Sequence, residues 1–550
     1  MENKKKFYIT TPIYYPSGKF HIGTAYCETL VDCIKRYKTL RGFDTYYLTG
    51  LDEHGQKIQA VAEKRGLTPQ EHVDDMAEQA KKLWNLMDIQ YDDFIRTTDK
   101  RHMDAVQKIV KIFMDNGDIY KGEYEGWYCM PCENYFTETQ LVDGKCPDCG
   151  REVKKMKEEA YFFNMKKYES WLKEFYSENP EFIVPESRKN EIFKNFIDPG
   201  LEDLCISRCT FDWGIKLPDN PKHVLYVWLD ALTNYITALG YDPDGSSDLY
   251  KKYWPADVHI IGKDIVRFHT IYWPIMLMAL GEELPKQVYG HPWLLFGEDK
   301  MSKSKGNVIY ADDLSKLIGV DAVRYYLLSE MPHANDGSIS YSTIIERFNS
   351  DLANTLGNLV NRTVAMTNKY FGGTVADKGV IGDVDADFKA VVDGAAAAVD
   401  AKMETLRVAD AITEIFNVFK RCNKYIDETM PWVLAKDEAQ KDRLETVLAN
   451  LIYGIETGAK LLASFLPDTA EKILKQTNGG NVTDKPEILF ARLDLEEVLK
   501  KVEELHPPVA EEPVVEEDVI DIEPKEEITF DDWMKMQFQV GEIIACEEVP

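Results

Sequence analysis

The stretch FYITTPIYYPSGKFHIGTAYCETLVDCIKRYKTLRGFDTYYLTG, residues 7–50, decides the fold. It opens with five β-forming residues that predict a strand, and a loop rich in proline and glycine is predicted at 12–18. From His21 onward the apolar residues fall on one face of a helix, and Gly42 marks the end of that helix. A second strand is predicted at 43–48. Strand, helix and strand in this order are typical of a parallel sheet covered by helices.

The same alternation continues on both sides of an interruption. A further loop, Gly50-Leu51-Asp52-Glu53-His54-Gly55, leads into a helix that ends near Gly66. The pattern breaks near Asn116, and strand-like runs return at 223–228 and 258–262, each leading into a helix. We therefore predict an α/β fold whose Rossmann-type, doubly wound parallel sheet is split by an insertion.

The composition excludes several classes of protein. Of the 550 residues, 44% are hydrophobic and 11% aromatic, so the chain can form large cores and is neither mainly disordered nor fibrous. The formal net charge of −29, from 65 basic and 94 acidic residues, argues against a general nucleic-acid binder. Any contact with RNA must then use local basic patches. We recognise no secretory signal and no apolar run near about 18 residues, and we expect a cytoplasmic protein.

Four cysteines in the insertion have the spacing of a metal site. Cys129 and Cys132 form one pair, Cys146 and Cys149 form another, and thirteen residues separate the pairs. In the reducing cytosol such thiols bind metal rather than form disulfides. Two pairs of this type supply tetrahedral sulfur ligation for one Zn²⁺ and leave no open position, so the predicted role is structural. The alternative is a reduced, metal-free cysteine cluster.

The tetrapeptide His21-Ile22-Gly23-Thr24 lies where the first strand gives way to the first helix. Helix N-termini carry unpaired N–H groups and partial positive charge, so they bind phosphate. Gly23 lets a ligand approach the backbone, and His21 adds a hydrogen bond or a charge. A surface histidine in front of a helix is the alternative interpretation, and it is the commoner case for this tetrapeptide alone.

A second phosphate-binding candidate is the loop Lys300-Met301-Ser302-Lys303-Ser304-Lys305-Gly306-Asn307, which follows a strand-like run at 293–296. Three lysines and two serines on a loop bounded by glycines suit a triphosphate. A solvated basic loop is an equally good interpretation of this segment taken alone.

Together the two motifs resemble the paired signatures of class I aminoacyl-tRNA synthetases. Within that class the chain resembles the methionyl-tRNA synthetase family over essentially its whole length. The segments that carry the resemblance occur in the family's order: Pro12-Ile13-Tyr14-Tyr15, His21-Ile22-Gly23, Gly50 to Gly55, the four cysteines, Tyr226-Val227-Trp228-Leu229-Asp230-Ala231, Ile261-Gly262-Lys263-Asp264-Ile265, Lys300 to Ser304, and Met430-Pro431-Trp432. Thr24 departs from the family pattern, which commonly has a second histidine there. A threonine can donate a hydrogen bond but carries no charge.

The resemblance implies ATP-dependent ligation of L-methionine to its cognate tRNA through a methionyl-adenylate, with release of AMP and diphosphate. It implies one structural Zn²⁺, Mg²⁺ with ATP, and methionine, ATP and tRNA(Met) as partners, with no membrane. It also implies a homodimer formed through a C-terminal domain, most of which this chain lacks. The alternatives are another class I synthetase, although 117–222 is too short for the editing insertion of the leucyl, isoleucyl and valyl enzymes, and a non-catalytic RNA-binding scaffold.

The resemblance also assigns candidate site residues. The catalytic candidates are His21, Lys300 and Lys303. The ATP-binding candidates are His21, Gly23, Thr24, Gly262, Asp264, Leu294 and Lys303. The methionine-binding candidates are Ile13, Tyr15, Asp52, Trp228, Leu232, Tyr235, Ile265, His269 and Trp273. The anticodon-binding candidates are Asn358, Arg362 and Trp432, and the metal ligands are the four cysteines.

Several of these residues have a purely structural alternative. Trp228, Tyr235 and Trp273 are also read as ordinary core aromatics. Asp52 is also read as a helix N-cap. Asn358 and Arg362, without the family match, are read as part of a solvated helix face.

Seven segments are expected along the chain. They are the first half of the catalytic domain at 1–116, the connective insertion with its zinc knuckle at 117–222, the second half at 223–297, the lysine loop with a connecting segment at 298–340, an all-helical anticodon-binding domain at 341–505, an acidic linker at 506–527, and the truncated start of a C-terminal tRNA-binding OB-fold at 528–550.

Overall fold

The computed structural model describes residues 4–130, 134–136, 138–147, 149–296, 299–300 and 308–505. The described residues up to Lys501 belong to one compact unit. The expected acidic linker at 506–527 and the OB-fold segment at 528–550 lie outside the described residues and stay predictions.

The strands in the described residues are β1 (Lys6–Tyr14), β2 (Asp44–Leu51), β3 (Asp93–Arg96), β4 (Ile119–Cys129), β5 (Asn134–Phe136), β6 (Lys154–Phe163), β7 (Ile183–Val184), β8 (Leu204–Cys205), β9 (Ser207–Arg208), β10 (Lys216–Leu217), β11 (Asn220–Leu225), β12 (Val258–Gly262), β13 (Val288–His291), β14 (Leu294–Phe296), β15 (Asp299–Lys300) and β16 (Gly337–Ile339). The longest strands in the described residues are β1 and β2 of the central sheet and the two strands of the long hairpin in the insertion.

Helices cover both faces of the central sheet and dominate the last third of the described chain. They are α1 (Ile22–Leu40), α2 (Gln56–Arg65), α3 (Pro69–Leu86), α4 (Lys100–Asp115), α5 (Glu169–Glu178), α6 (Glu186–Ile192), α7 (Val227–Thr237), α8 (Asp248–Tyr253), α9 (Trp273–Leu280), α10 (Ala311–Ile318), α11 (Val320–Glu330), α12 (Tyr341–Arg347), α13 (Asn358–Phe371), α14 (Asp385–Met403), α15 (Val408–Thr429), α16 (Pro431–Leu434), α17 (Lys441–Leu462), α18 (Pro467–Thr477) and α19 (Leu495–Leu505).

The central sheet is parallel throughout, with the strand order β3-β2-β1-β12-β13-β7. The first strand lies beside the first strand of the second half, with Ile9 opposite Val258 and Thr10 opposite His259. The predicted α/β fold with a split parallel sheet is therefore confirmed. The order reverses between β1 and β12, and ligands of such sheets bind at the carboxyl ends of the strands at this point.

One strand prediction needs correction. The run at 223–228 does not join the parallel sheet, because β11 pairs antiparallel with β9 and β10 in a small separate sheet. The chain then enters α7 at Val227, so Trp228 is a helical residue. A short apolar run does not distinguish a strand from a buried helix by periodicity, which explains the error. In addition, β7, from within 117–222, adds an edge strand to the central sheet.

The insertion is built on the long antiparallel hairpin of β4 and β6, which β5 and β8 extend at its edges. Cys129 ends β4, and Cys146 and Cys149 lie between β5 and β6. One end of the hairpin therefore carries the three described cysteines of the cluster.

The last part of the described chain is helical, as predicted. Helices α14, α15 and α17 pack around a common core in which the rings of Phe388 and Tyr425 lie 4.4 Å apart. Gly458 has to be small, because a Cβ there would come within 2.4 Å of Phe419. Among the helices in the described residues, none combines the length and the apolar character required to cross a membrane.

Candidate active site

A cavity of about 410 Å³ opens at the carboxyl ends of the central strands, where the strand order reverses. The motif residues from both halves of the sheet domain meet in its walls. The predicted site residues that line it are Ile13, Tyr15, His21, Gly23, Thr24, Asp52, Trp228, Leu232, Tyr235, Gly262, Asp264, Ile265, His269 and Leu294.

Trp273 lies outside this group. Its side chain is fully buried behind the cavity wall, with its ring 6.0 Å from that of Tyr235 and its Nε1 donating to His259 Nε2 over 3.3 Å. In the described structure Trp273 therefore packs as a core aromatic, and its contact with a ligand stays a prediction.

Two aromatic contacts shape the apolar end of the cavity. The indole of Trp228 stacks on the ring of Phe268 with centroids 3.5 Å apart. On another wall the hydroxyl of Tyr235 lies 2.7 Å from His269 Nε2. A flat indole and a phenol ring offer polarizable surface, which suits a thioether chain.

The state of His269 follows from its surroundings. Burial lowers the pKa of His269 to about 4, so the ring is neutral at physiological pH. Its Nδ1 lies 2.9 Å from the carbonyl oxygen of Ile265, which only accepts hydrogen bonds, so Nδ1 carries the proton. Nε2 then accepts from the Tyr235 hydroxyl. The wall therefore presents a neutral, fixed pair rather than a charge.

The other end of the cavity is formed by the start of α1. His21 is the N-cap of this helix, and its Nδ1 accepts from the backbone N–H of Gly23 over 3.1 Å. A Cβ on Gly23 would lie 2.9 Å from the imidazole, so a larger residue would displace the ring. Thr24 is 9% exposed and lines the same wall. This end presents helix N–H groups and an imidazole, which suit phosphate oxygens.

The segment just beyond the lysine loop is tied to the same helix start. The backbone N–H of Ile22 donates to the carbonyl oxygen of Ile309 over 2.9 Å. Lys19 Nζ lies 2.9 Å from Asp312 and 3.1 Å from Asp313. Lys303 and the side chain of Lys300 lie outside the described residues, so their roles stay predictions.

A third wall follows β12. Trp293 Nε1 donates to Asp264 Oδ1 over 3.0 Å, and the Lys263 ammonium lies 4.2 Å from the centre of the Trp293 ring. Gly262 lies so close to Asp264 that a Cβ would approach its Oδ1 to 2.6 Å. Leu294 is buried beside them. The wall thus combines an indole, a carboxylate and a buried leucine, which are groups that suit a nucleoside.

Asp52 is placed by the end of β2 and not by a helix. Its backbone N–H donates to the carbonyl oxygen of Tyr14 over 2.9 Å, and the residue is 6% exposed. Helix α2 begins only at Gln56, with Gly55 at its N-cap. The N-cap interpretation of Asp52 is therefore wrong, and its carboxylate belongs to the cavity wall.

A buried network behind the wall fixes the loop that carries Asp52. His54 Nδ1 lies 2.6 Å from Asp230 Oδ2, and His102 Nε2 lies 2.8 Å from Asp230 Oδ1. Burial alone would raise the pKa of Asp230, but the two imidazoles lower it to about 2, so the group is a carboxylate. Because Asp230 belongs to the same helix as Trp228, the network couples this loop to the apolar wall.

Sequence reasoning missed several residues of the cavity wall. They are Pro12, Tyr14, Tyr26, Cys27, Lys57, Val227, Ala231, His291, Pro292 and Trp293. Pro12, Tyr14, Val227 and Ala231 belong to the motif segments themselves, so for these residues the motifs were the available signal. Tyr26 and His291 are an exception, since their rings form an edge-on pair at 5.1 Å that depends on the tertiary fold.

The cysteine cluster is separate from the cavity residues. The sulfur atoms of Cys129, Cys146 and Cys149 lie within 4.8 Å of one another, and Cys129 and Cys146 are buried. Three thiols at this spacing can hold a metal ion. Cys132 lies outside the described residues, so its part in the site stays a prediction.

The three anticodon candidates are on the helical part of the chain. Asn358 and Arg362 are exposed one turn apart on α13, and Trp432 is 42% exposed in the short helix α16. Helix α13 packs against α15, which directly precedes α16. Exposed polar side chains and an exposed indole are the groups that bind unpaired bases.

Two family models match the chain. A model described as tRNA synthetases class I (M) matches residues 7–158 and 151–364, and one described as the anticodon-binding domain of tRNA ligase matches residues 385–522. The methionine–tRNA ligase of Clostridium acetobutylicum is 52% identical over 100% of this chain and 87% of its own length. That of Bacillus subtilis is 50% identical over the same shares of the two chains.

Solved structures give the same result. Mycobacterium tuberculosis methionyl-tRNA synthetase in complex with methionyl-adenylate superposes with a TM-score of 0.85 and 39% identity, covering 89% of this chain and 100% of that one. Its apo form superposes with a TM-score of 0.78 and 36% identity, covering 90% and 99%. The chain therefore belongs to the methionine–tRNA ligases, a family of class I aminoacyl-tRNA synthetases.

Proposed function

We propose that the protein joins L-methionine to its cognate tRNA in two steps, through methionyl-adenylate, with release of diphosphate and then AMP. The single observation that carries this proposal is the composition of the cavity. An apolar end lined by aromatic rings and a helix start with an imidazole lie in one cavity of about 410 Å³. The M. tuberculosis relative is described in complex with methionyl-adenylate, a ligand with these two kinds of end.

In the first step the methionine carboxylate attacks the α-phosphorus of MgATP, and diphosphate leaves. Asp52 holds the methionine ammonium group, and Trp228, Tyr235 and His269 surround the side chain. His21 and the N–H groups at the start of α1 hold phosphate oxygens, while Lys300 and Lys303 stabilise the charge on the leaving diphosphate. Catalysis consists of positioning and charge stabilisation, without a covalent enzyme intermediate.

In the second step a hydroxyl of the terminal adenosine of tRNA attacks the activated carbonyl, and AMP leaves. We assign recognition of the methionine anticodon to Asn358, Arg362 and Trp432. The exposed indole of Trp432 stacks on a base, and the other two side chains hydrogen-bond to base edges. Charging of tRNA serves translation, so we place the enzyme in the cytoplasm.

The cysteine cluster fits Zn²⁺ because its described donors are three thiols whose sulfur atoms lie within 4.8 Å of one another, and two of these cysteines are buried. Cys129, Cys146 and Cys149, with Cys132 as the expected fourth ligand, would hold the ion. A closed sulfur site holds the loops at the end of the β4–β6 hairpin together and takes no part in the chemistry.

Exchange of labelled diphosphate into ATP tests the first step with each of the common amino acids. We expect exchange with methionine and none above background with leucine, isoleucine or valine. Charging of tRNA(Met) with labelled methionine then tests the second step. Exchange that depends on another amino acid, or no exchange at all, would contradict the proposed function.

A further inference from the structure

His259 is a fully buried histidine that packs against Tyr235, a residue of the cavity wall. It belongs to β12 and lies opposite Thr10 of β1, at the point where the strand order reverses. Burial lowers the pKa of His259 well below its usual value, and the nearby His269 adds to this effect, so the ring is neutral at physiological pH. A neutral imidazole offers one donor and one acceptor, and both are costly to leave without a partner in a protein core.

The hydrogen bonds of His259 fix its tautomer. Trp273 Nε1, which can only donate, donates to His259 Nε2 over 3.3 Å. Nε2 is therefore the acceptor, and the proton of the neutral ring lies on Nδ1. Nδ1 then donates to the hydroxyl oxygen of Thr10 over 2.8 Å. The imidazole is thus held from two sides, by β1 and by α9, whose first residue is Trp273.

The same imidazole supports the ring of Tyr235. The centres of the two rings lie 4.1 Å apart at an interplanar angle of 31°. The hydrogen bond from the Tyr235 hydroxyl to His269 fixes one end of this side chain, and the contact with His259 supports its ring. Trp273 packs against the same ring, with the centres 6.0 Å apart. His259 and Trp273 therefore form a layer that keeps Tyr235 from moving away from the cavity.

Close packing behind the wall determines which side chains the apolar end of the cavity accepts. Protein interiors are packed like crystals, so a supported ring has little room to move. A pocket discriminates between side chains that differ by one methylene by a factor of about 10–200. A wall that yields loses part of this discrimination, because the longer side chain then fits as well.

We infer that His259 is a positioning residue for substrate specificity: its imidazole holds Trp273 and Tyr235 in place and so limits the length of the amino-acid side chain that the cavity accepts. This inference rests on the proposed function, because it takes the apolar end of the cavity as the site of the methionine side chain. His259 is not among the residues that line the cavity, so it acts through the other two side chains, and no proton is transferred.

Ethionine, which is longer than methionine by one methylene at the sulfur, tests this inference. Diphosphate exchange with the full chain gives kcat/KM for each amino acid, and the preference is the ratio of the methionine value to the ethionine value. His259→Leu removes both polar ring atoms and leaves an apolar side chain. For this variant we expect the preference for methionine to fall at least about fivefold, because the wall can yield.

Two amide variants separate the two hydrogen bonds of the imidazole. A glutamine amide reaches the position of Nε2 and can accept from Trp273, so His259→Gln should retain most of the wild-type preference. An asparagine amide reaches the position of Nδ1 and contacts only Thr10, so His259→Asn should behave like His259→Leu. In a Trp273→Phe background, which lacks the indole N–H, His259→Leu should lower the preference by a smaller factor than in wild type.

Another buried histidine provides the matched control. His223 of β11 is 2% exposed, its Nδ1 lies 3.1 Å from Ser207 Oγ, and it is not among the residues that line the cavity. His223→Leu should leave the preference within about twofold of wild type, because distant sites act independently. Thermal denaturation of every variant checks that the fold is intact.

Several outcomes would overturn the inference. An unchanged preference in a folded His259→Leu protein would leave His259 with a structural role alone. An equal fall in His223→Leu would attribute the effect to lost stability. If His259→Leu does not fold, the two amide variants decide, and equal preferences in His259→Gln and His259→Asn would refute the role of the Trp273 contact. Wild-type protein without methionine-dependent exchange would instead contradict the proposed function, which is a distinct result.

Discussion

Glu28 is a carboxyl in the middle of α1, next to the cavity residue Cys27, and it is fully buried without a cation bonded to it in the described residues. Its oxygens accept hydrogen bonds from the hydroxyls of Thr11, Thr49 and Tyr47. Burial raises the pKa of Glu28 to about 7, although these hydroxyls favour the charged form. The group thus changes its charge close to physiological pH.

This shift predicts a pH-dependent stability. An acid whose pKa is higher in the folded state than in the unfolded state, about 4.5, stabilises the fold while protonated, and that contribution is lost as pH rises from about 4.5 to 7. The full effect is up to about 3 kcal/mol. In urea unfolding, we expect the difference in free energy of unfolding between wild type and Glu28→Gln to become smaller from pH 5 to pH 8. The exposed control Glu63→Gln should show a constant difference, and a constant difference for Glu28→Gln would refute the shift.

Thr24 and His21 differ in what they can supply to the cavity, so their substitutions by alanine should differ in effect on adenylate formation. Thr24 supplies at most a hydrogen bond, whereas His21 caps α1 and faces the cavity. His21→Ala should therefore slow adenylate formation more than Thr24→Ala does. If His21 donates to a phosphate oxygen, its loss should cost about 2.7–4 kcal/mol of transition-state stabilisation. Single-turnover rates with methionine and ATP measure both. Equal rates in the two variants would contradict the ranking.

Most of the residues that line the cavity could be predicted from the sequence, because motifs can be recognised without knowledge of the fold. The sequence did not predict which aromatic residues face the cavity. Trp228 and Trp273 look alike in the sequence, yet one lines the cavity and the other is buried behind it. The wide helical turn at 268–272 precedes Trp273, and the local sequence does not specify such a turn.

At the scale of elements, the network around Asp230 joins α4, α7 and the loop after β2. Asp230→Asn leaves both imidazoles without their anionic partner, so we expect a loss of stability of about 3 kcal/mol at pH 7. In wild type the lowered pKa of Asp230, about 2, stabilises the fold at every pH above about 4. This contribution, about 2 kcal/mol of unfolding free energy, is lost as the pH falls toward 2. The variant should lack this pH dependence. Because α7 carries Trp228, the KM for methionine should also rise.

Urea unfolding at pH 7 and pH 3, with steady-state diphosphate exchange at several methionine concentrations, measures these effects. The control is Asp242→Asn, which removes a carboxylate that pairs with Lys108 at the surface. An Asp230→Asn protein with normal stability and normal KM would show that the network does not position the loop.

The zinc knuckle is also a prediction at the scale of elements. The described structure supports it by bringing together three of the four predicted cysteine ligands. We expect metal analysis of protein purified without chelators to give one zinc per chain. Cys146→Ser should release the metal and destabilise the β4–β6 hairpin, while methionine binding stays within about twofold because the cluster and the cavity share no described residue. Zinc-free protein with an unchanged melting profile would remove the structural role.

At the scale of the whole molecule, Arg324 joins parts of the chain that are far apart in the sequence. Its fully buried guanidinium lies 2.6 Å from Asp32 of α1. It also donates to the carbonyl oxygens of Met87, over 3.1 Å, and of Phe465, over 2.9 Å. Helix α1 begins at the cavity, and Phe465 follows α17 of the helical part. One side chain therefore connects the helix that begins at the cavity to the helical part of the molecule.

The split parallel sheet and the helical part that follows it could be predicted from the sequence, but this connection could not. Asp32 and Arg324 are 292 residues apart, and neither lies in a motif. Taken from the sequence, each reads as a charged residue on a helix face exposed to solvent. Only the packing of α1 against α11 removes both from water and makes their pairing obligatory.

Removal of the Arg324 guanidinium tests the importance of that pairing. Arg324→Met leaves Asp32 buried with Arg36 as its remaining cation, so we expect a loss of about 3 kcal/mol in urea unfolding. Lys100→Met breaks an exposed pair with Asp104 and should cost less than about 1 kcal/mol. Since Arg324 links the cavity helix to the proposed anticodon-binding helices, its loss should reduce charging of full-length tRNA more than diphosphate exchange. If both reactions fall equally, Arg324 contributes stability without coupling the two parts.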